Sequence, residues 1–189
     1  MRSLHSLTRP SRKMATAALV LMALPVSVLA QGPPNPITAA LRSTWNSAKT
    51  NVRRSADVMP EAKYNFKPVD GVRTYGALLA HIAGASYEFC AAAKGEKAPH
   101  AEDEFEKSAK TKADIVKALD GAIAYCDEVY TSLDDAKSAE MGPGAFGGPQ
   151  VARAANLIGN TGHFQEHYGN LVTYLRINGL VPPSSAPRK

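Results

Sequence analysis

Apolar positions recur at spacings of three and four in four long stretches of the chain. From Pro36 to Val58 the stripe is Ile37, Ala40, Leu41, Trp45, Ala48, Val52 and Ala56, the pattern of a helix with one buried face. Asn35 followed by Pro36 is the expected start, an N-cap and a proline in the first turn. From Thr74 to Lys94 the stripe is Tyr75, Leu78, Ile82, Ala85 and Phe89, and Gly95 supplies the stop. The third helix, Lys112 to Leu133, opens on a capping box formed by Thr111 and Asp114 and buries Ile115, Leu119, Ala122, Cys126, Val129 and Leu133. The fourth runs from Pro149, after Gly147-Gly148, to Asn178-Gly179, with Pro182-Pro183 beyond. It carries only Arg153, Glu166 and Arg176 as fixed charges, so most of its circumference is expected to meet protein.

The connections are polar or rich in turn formers. Met59 to Arg73 holds Pro60, Pro68 and Gly71 together with Tyr64 and Phe66, two aromatics expected to pack over one end of the helices. Gly95 to Lys110 is charged, and its His100 is read as a surface residue; Asp134 to Gly148 is a glycine-rich loop. No strand pattern, repeat, phosphate-binding loop or nucleophile elbow occurs. The fold class is therefore all-α, a four-helix bundle over residues 31–181, with 182–189 expected as a loose C-terminal tail.

Candidate chemistry sits on the fourth helix. At 100° per residue, Asn156, Asn160, His163, His167, Asn170 and Tyr174 share one narrow stripe between two flanks of apolar or small residues. Imidazoles at i and i+4 point the same way and can close on one metal ion. His81, on a shoulder of the second helix, is the third ligand nominated, although a lone histidine at such a shoulder is more often structural than a ligand. Glu88, about 10 Å along that helix from His81, is the one carboxylate near enough to consider as a base. Catalytic residues are otherwise unknown.

Residues 1–30 alter the charge picture. They hold Arg2, Arg9, Arg12 and Lys13, no acidic residue, an apolar run from Met14 to Leu29 broken by Pro25, and Val28-Leu29-Ala30 before Gln31. That order is a secretory signal peptide cut after Ala30, too short and interrupted to anchor in a membrane. Localisation is expected to be periplasmic or secreted. Beyond it, 18 basic residues face 17 acidic ones, a net +1 in place of the +5 of the whole chain. Neither that balance nor any basic stripe interleaved with aromatics supports a nucleic-acid partner. The partner expected is a small-molecule substrate or ligand, with a homodimer left open.

The run MPEAKYNFKPVDGVRTYGALLAHIAGASYEFC, followed later by NTGHFQEHYGNLVTYLRINGLVPPSS, resembles the DinB-like (YfiT-like) superfamily of proposed metalloenzymes. The resemblance covers nearly all of the chain beyond residue 30. It implies up-down-down-up helix order and a divalent metal held by one histidine of the second helix and an HxxxH pair of the fourth, which are His81, His163 and His167 in this sequence. Zinc or nickel is the cofactor expected of such a nitrogen set, and a metal-dependent hydrolase or thiol transferase is the function implied. A metal- or ligand-binding bundle without turnover, or a protein-interaction module with incidental histidines, are the alternatives. The resemblance also bears on Cys90 and Cys126, the only cysteines. In an antiparallel hairpin of helices two and three they would lie about 15 Å apart in height. In the parallel arrangement that the resemblance implies they are level, and a disulfide is expected; two free core thiols are the other reading.

Overall fold

A computed structural model of the chain describes residues 34–187. The export signal expected at residues 1–30 lies outside the described residues. Four long helices make the body: α1 (Pro36–Val58), α2 (Tyr75–Lys94), α4 (Lys112–Ser132) and α6 (Arg153–Ile177). Two five-residue helices, α3 (Glu104–Ser108) and α5 (Asp135–Ala139), lie in the connections. A two-residue antiparallel ladder joins β1 (Met141–Gly142) to β2 (Val151–Ala152). The last helix therefore begins four residues later than its proline suggests, because Pro149 to Ala152 are drawn into this hairpin. No strand signal precedes such a short ladder in the sequence.

Helix directions follow from contacts at known heights. Arg53 pairs with Asp120 and Lys49 with Asp127, so α1 and α4 are antiparallel. Cys90 is joined to Cys126 and a Cβ on Gly76 would touch Ile115, so α2 and α4 run parallel. Tyr75 lies beside Tyr174 and Phe89 against Gly159, which makes α2 and α6 antiparallel. The Tyr75 hydroxyl donates to the Ser55 carbonyl, so α2 begins where α1 ends. The bundle is up-down-down-up, and the connection from Gly95 to Thr111 carries the chain back along α2.

Trp45 anchors the core. It is 1% exposed, stacks on Tyr130 with centroids 4.8 Å apart, and meets the edge of Phe164 at 4.7 Å. Its indole N–H donates to Asp127 at 2.6 Å, which satisfies the one polar atom it brings inside. Tyr64 donates to the Ala56 carbonyl and Phe66 packs edge-on against Tyr174, so the loop after α1 does close one end of the bundle.

Four expectations are corrected. The helix buried nearly all round is α2, whose residues from Tyr75 to Ala93 are all buried or half-buried. By contrast α6 leaves Ala155, Ile158, Gly162 and Gly169 exposed along one flank. Asn35 adopts a left-handed conformation and makes no side-chain cap. The donors of α1 are met instead by Asp135, whose carboxylate accepts from Ile37 N at 3.1 Å and Thr38 N at 2.8 Å. His100 is no bare surface residue: it lies 2.8 Å from Glu104 and against the ring of Tyr87. Nor is the tail loose over its first residues, since Pro182 and Pro183 are buried and Ser184 N donates to the Tyr168 hydroxyl.

Candidate metal centre

His163 and His167 stand one turn apart on α6, and α2 presents His81 to them from the opposite direction. Nε2 of His163 lies 3.2 Å from Nε2 of His81 and 3.0 Å from Nε2 of His167. Among the described residues these are the one group of three His, Cys, Asp or Glu whose ligand atoms gather closely enough for a single ion. His81 is buried and the other two are half-buried. The three sequence-nominated histidines thus come together, whereas Glu88 does not join them; it lines a separate groove with Glu96 and Lys97.

A neutral imidazole nitrogen offers either one in-plane lone pair or one N–H, so His163 Nε2 can satisfy one of its two contacts by an N–H···N bond but not both, whereas a cation among three lone pairs satisfies them together. A proton is a poor candidate. Burial first, and then the charges of His167, His81 and Arg73, pull the His163 pKa down to about 3. Burial also lowers His167. Two nitrogens at about 2.1 Å from one ion sit about 3.0 Å apart in octahedral and about 3.4 Å apart in tetrahedral geometry. The observed spacings fall in that interval, so the residues fit a divalent metal.

The side chains around the imidazoles set their orientation. His81 Nδ1 has Glu106 Oε1 at 3.2 Å and Glu102 Oε1 at 3.7 Å but makes a hydrogen bond to neither. Glu106 is also held by Arg73, whose Nε donates to its other oxygen at 3.0 Å. On the other side the Asn170 amide lies 3.3 Å from His167 Nδ1. Asn160, nominated with Asn170 from the stripe, is fully buried elsewhere: its amide nitrogen faces Cys90 Sγ, Cys126 Sγ and the Tyr130 hydroxyl. Asn156 fastens the loop before α6, accepting from Ala145 N and donating to the Pro143 carbonyl.

The two glutamates were not anticipated. They belong to the charged connection after α2, which hugs that helix at Gly84: a Cβ there would fall 1.9 Å from the Glu102 carbonyl oxygen. Only glycine lets the backbones approach this closely. The one sequence trace of the contact is a glycine one turn past His81 in an otherwise alanine-rich helix. Cys90 and Cys126 are bonded to each other in the core, with Cα atoms 5.5 Å apart, and contribute nothing to the site.

Comparison with known proteins agrees with this architecture. No curated protein matches the chain. Among solved structures it is similar to a DinB-like protein from Bacillus cereus at 16% identity and a TM-score of 0.65, with 77% of this chain and 95% of that one covered. It is also similar to a mycothiol-dependent maleylpyruvate isomerase (16%, TM-score 0.59), where 71% of this chain spans only 60% of the other. YfiT from Bacillus subtilis, described as a probable metal-dependent hydrolase with an unusual four-helix bundle topology, aligns at 13% identity and a TM-score of 0.55 over 76% of this chain and 88% of its own. At such identities these likenesses speak for the fold. The model of the DinB superfamily matches residues 40–171, a span that holds all three histidines and most of each of the four long helices, and the chain belongs to that superfamily.

Proposed function

We propose that His81, His163 and His167 hold one divalent metal ion through their Nε2 atoms and that the protein is an exported metal-dependent enzyme acting on a small molecule, a hydrolase or thiol transferase. The observation that carries the reading is the convergence of the three Nε2 atoms at 3.0 and 3.2 Å. His81, His163 and His167 would hold the ion, and bound there it would supply Lewis-acid chemistry to a water or a thiol. The protein's part is orientation. Glu106 and Glu102 place negative charge behind His81 and Asn170 fixes the ring of His167, the kind of outer contact that sets tautomer and ligand basicity. Two of the neighbours support the chemistry by their descriptions, a probable metal-dependent hydrolase and a mycothiol-dependent maleylpyruvate isomerase.

The test is metal analysis of untagged protein. One equivalent of zinc or nickel in the wild type and less than a tenth of that in His163→Ala is expected; no metal above background, after supply of each first-row dication, would overturn the assignment. A metal-dependent turnover of esters, amides or thiol-transfer substrates then separates an enzyme from a binding protein. Export is supported by the order of residues 1–30 and by the Cys90–Cys126 link, a bond that persists in oxidising compartments. Mass spectrometry of protein from its producing cell should find Gln31 at the N-terminus, and an intact Met1 would refute export.

A further inference from the structure

Beside the three histidines the structure has a second recognition element. A cavity of about 330 Å³ opens between the loop before α2 and the exposed edge of α6, lined by Val72, Arg73, Leu78, His167, Asn170 and Tyr174 among others. Its volume is at the low end of small-molecule sites. Its chemistry is divided. Leu78, Val72 and the ring of Tyr174 make an apolar side, while Arg73, Asn170 and the His167 edge make a polar one.

Arg73 is fixed at three points. Its Nε donates to Glu106, its backbone carbonyl accepts from the Tyr174 hydroxyl at 2.9 Å, and the chain beside it turns at Gly71, where φ is +89°. Neither Nη group makes a hydrogen bond among the described residues. A guanidinium held by its Nε and open at its Nη atoms is a pre-oriented fork for a carboxylate.

We propose that this cavity binds the carboxylate of a small monoanionic organic acid, its charged end between Arg73 and the metal centre at His167 and its apolar body against Leu78, Val72 and Tyr174. The proposal rests on the metal reading of the three histidines, and local charge shows why. Arg73 opposes Glu102 and Glu106, and Glu166 also acts on His167, so without a metal the surroundings are net negative by two and a dication brings them to neutral. That balance suits a monoanion better than a phosphate dianion, which would also face the glutamates. An amine would meet both the ion and the guanidinium and is disfavoured.

Calorimetric titration of the zinc-loaded protein with benzoate, benzamide and inorganic phosphate tests this, with zinc content measured on each sample. Benzoate should bind at least tenfold more tightly than its neutral isostere benzamide and than phosphate. In Arg73→Gln benzoate affinity should fall at least tenfold with zinc content unchanged. Arg73→Lys, which keeps the charge and the pairing with Glu106, should lose less. Equal binding of benzoate and benzamide, tighter binding of phosphate, or an Arg73→Gln protein that holds zinc and binds benzoate like the wild type would each overturn the proposal. A wild type that takes up no zinc would instead bring down the metal reading, and this one with it.

Discussion

A single residue, His163, carries the tightest constraints of the centre. It touches both other imidazoles through Nε2, its Nδ1 is buried without a partner among the described residues, and its pKa is pulled to about 3, chiefly by burial. An unfolded histidine titrates near 6.5, so the unfolded metal-free chain takes up this proton well before the folded one does. Stability of the metal-free protein is therefore greatest above about pH 6.5 and falls as pH drops from there toward 3. Thermal melts of chelator-treated protein should show the midpoint declining through that window, and His163→Ala should flatten the decline; a wild type with no loss between pH 7 and 5 would contradict the burial of this ring. The same scale explains what the sequence showed of the site. An HxxxH pair is visible because a helix has a fixed period; His81 could be nominated from its shoulder of the second helix, and the family resemblance then joined it to the pair. Arg73, Glu102 and Glu106 could not be found, because they reach the centre from the connections on either side of α2, whose path no periodicity records. If Nε2 of His167 binds the proposed metal, Nδ1 carries the proton and would donate to the Asn170 amide oxygen, with the amide turned from the orientation that puts its nitrogen 3.3 Å away.

At the scale of elements, the four helices were legible because their buried stripes and stops are local. Their satisfied ends were less so. Thr111 and Asp114 form the expected capping box across three residues, whereas the cap of α1 arrives from Asp135, about a hundred residues away. A cap supplied by a distant element ties two pieces of the fold together. Removing it in Asp135→Ala should lower the urea midpoint of unfolding; an unchanged midpoint would mean that solvent serves those donors as well. The connection after α2 is a second case of an element placed by one residue. Gly84→Ala drives a methyl group into the Glu102 carbonyl, and because backbone cannot swing aside as a side chain can, the strap must lift. We expect a loss of about 1–3 kcal/mol. A drop in zinc affinity should accompany it, as Glu102 and Glu106 leave His81. Unchanged zinc affinity in a destabilised Gly84→Ala would show that the two carboxylates do nothing for the ligand.

Across the whole molecule, the parallel pairing of α2 with α4 is what an up-down-down-up bundle demands and what a chain of hairpins would avoid. The long return along α2 leaves these two helices without a short loop to fix their relative height, and helices in parallel register can slide by a turn at modest cost. The Cys90–Cys126 link joins them about three-quarters of the way along each helix, inside the core and 36 residues apart in sequence. Asn160 of α6 aims its amide at both sulfurs, so the crosslink also meets the helix that carries two of the three histidines. Crosslinking over such a span restricts the unfolded chain by about 3 kcal/mol. The double variant Cys90→Ala, Cys126→Ala should accordingly unfold at lower denaturant by that order, while its helical circular-dichroism signal and zinc stoichiometry stay near wild type, since the core around Trp45, Tyr130 and Phe164 is intact. Loss of zinc together with stability would instead mean that the crosslink sets the height at which His81 meets His163 and His167. Equal stability of the oxidised protein and the double variant would show that helix packing alone holds α2 and α4 in register.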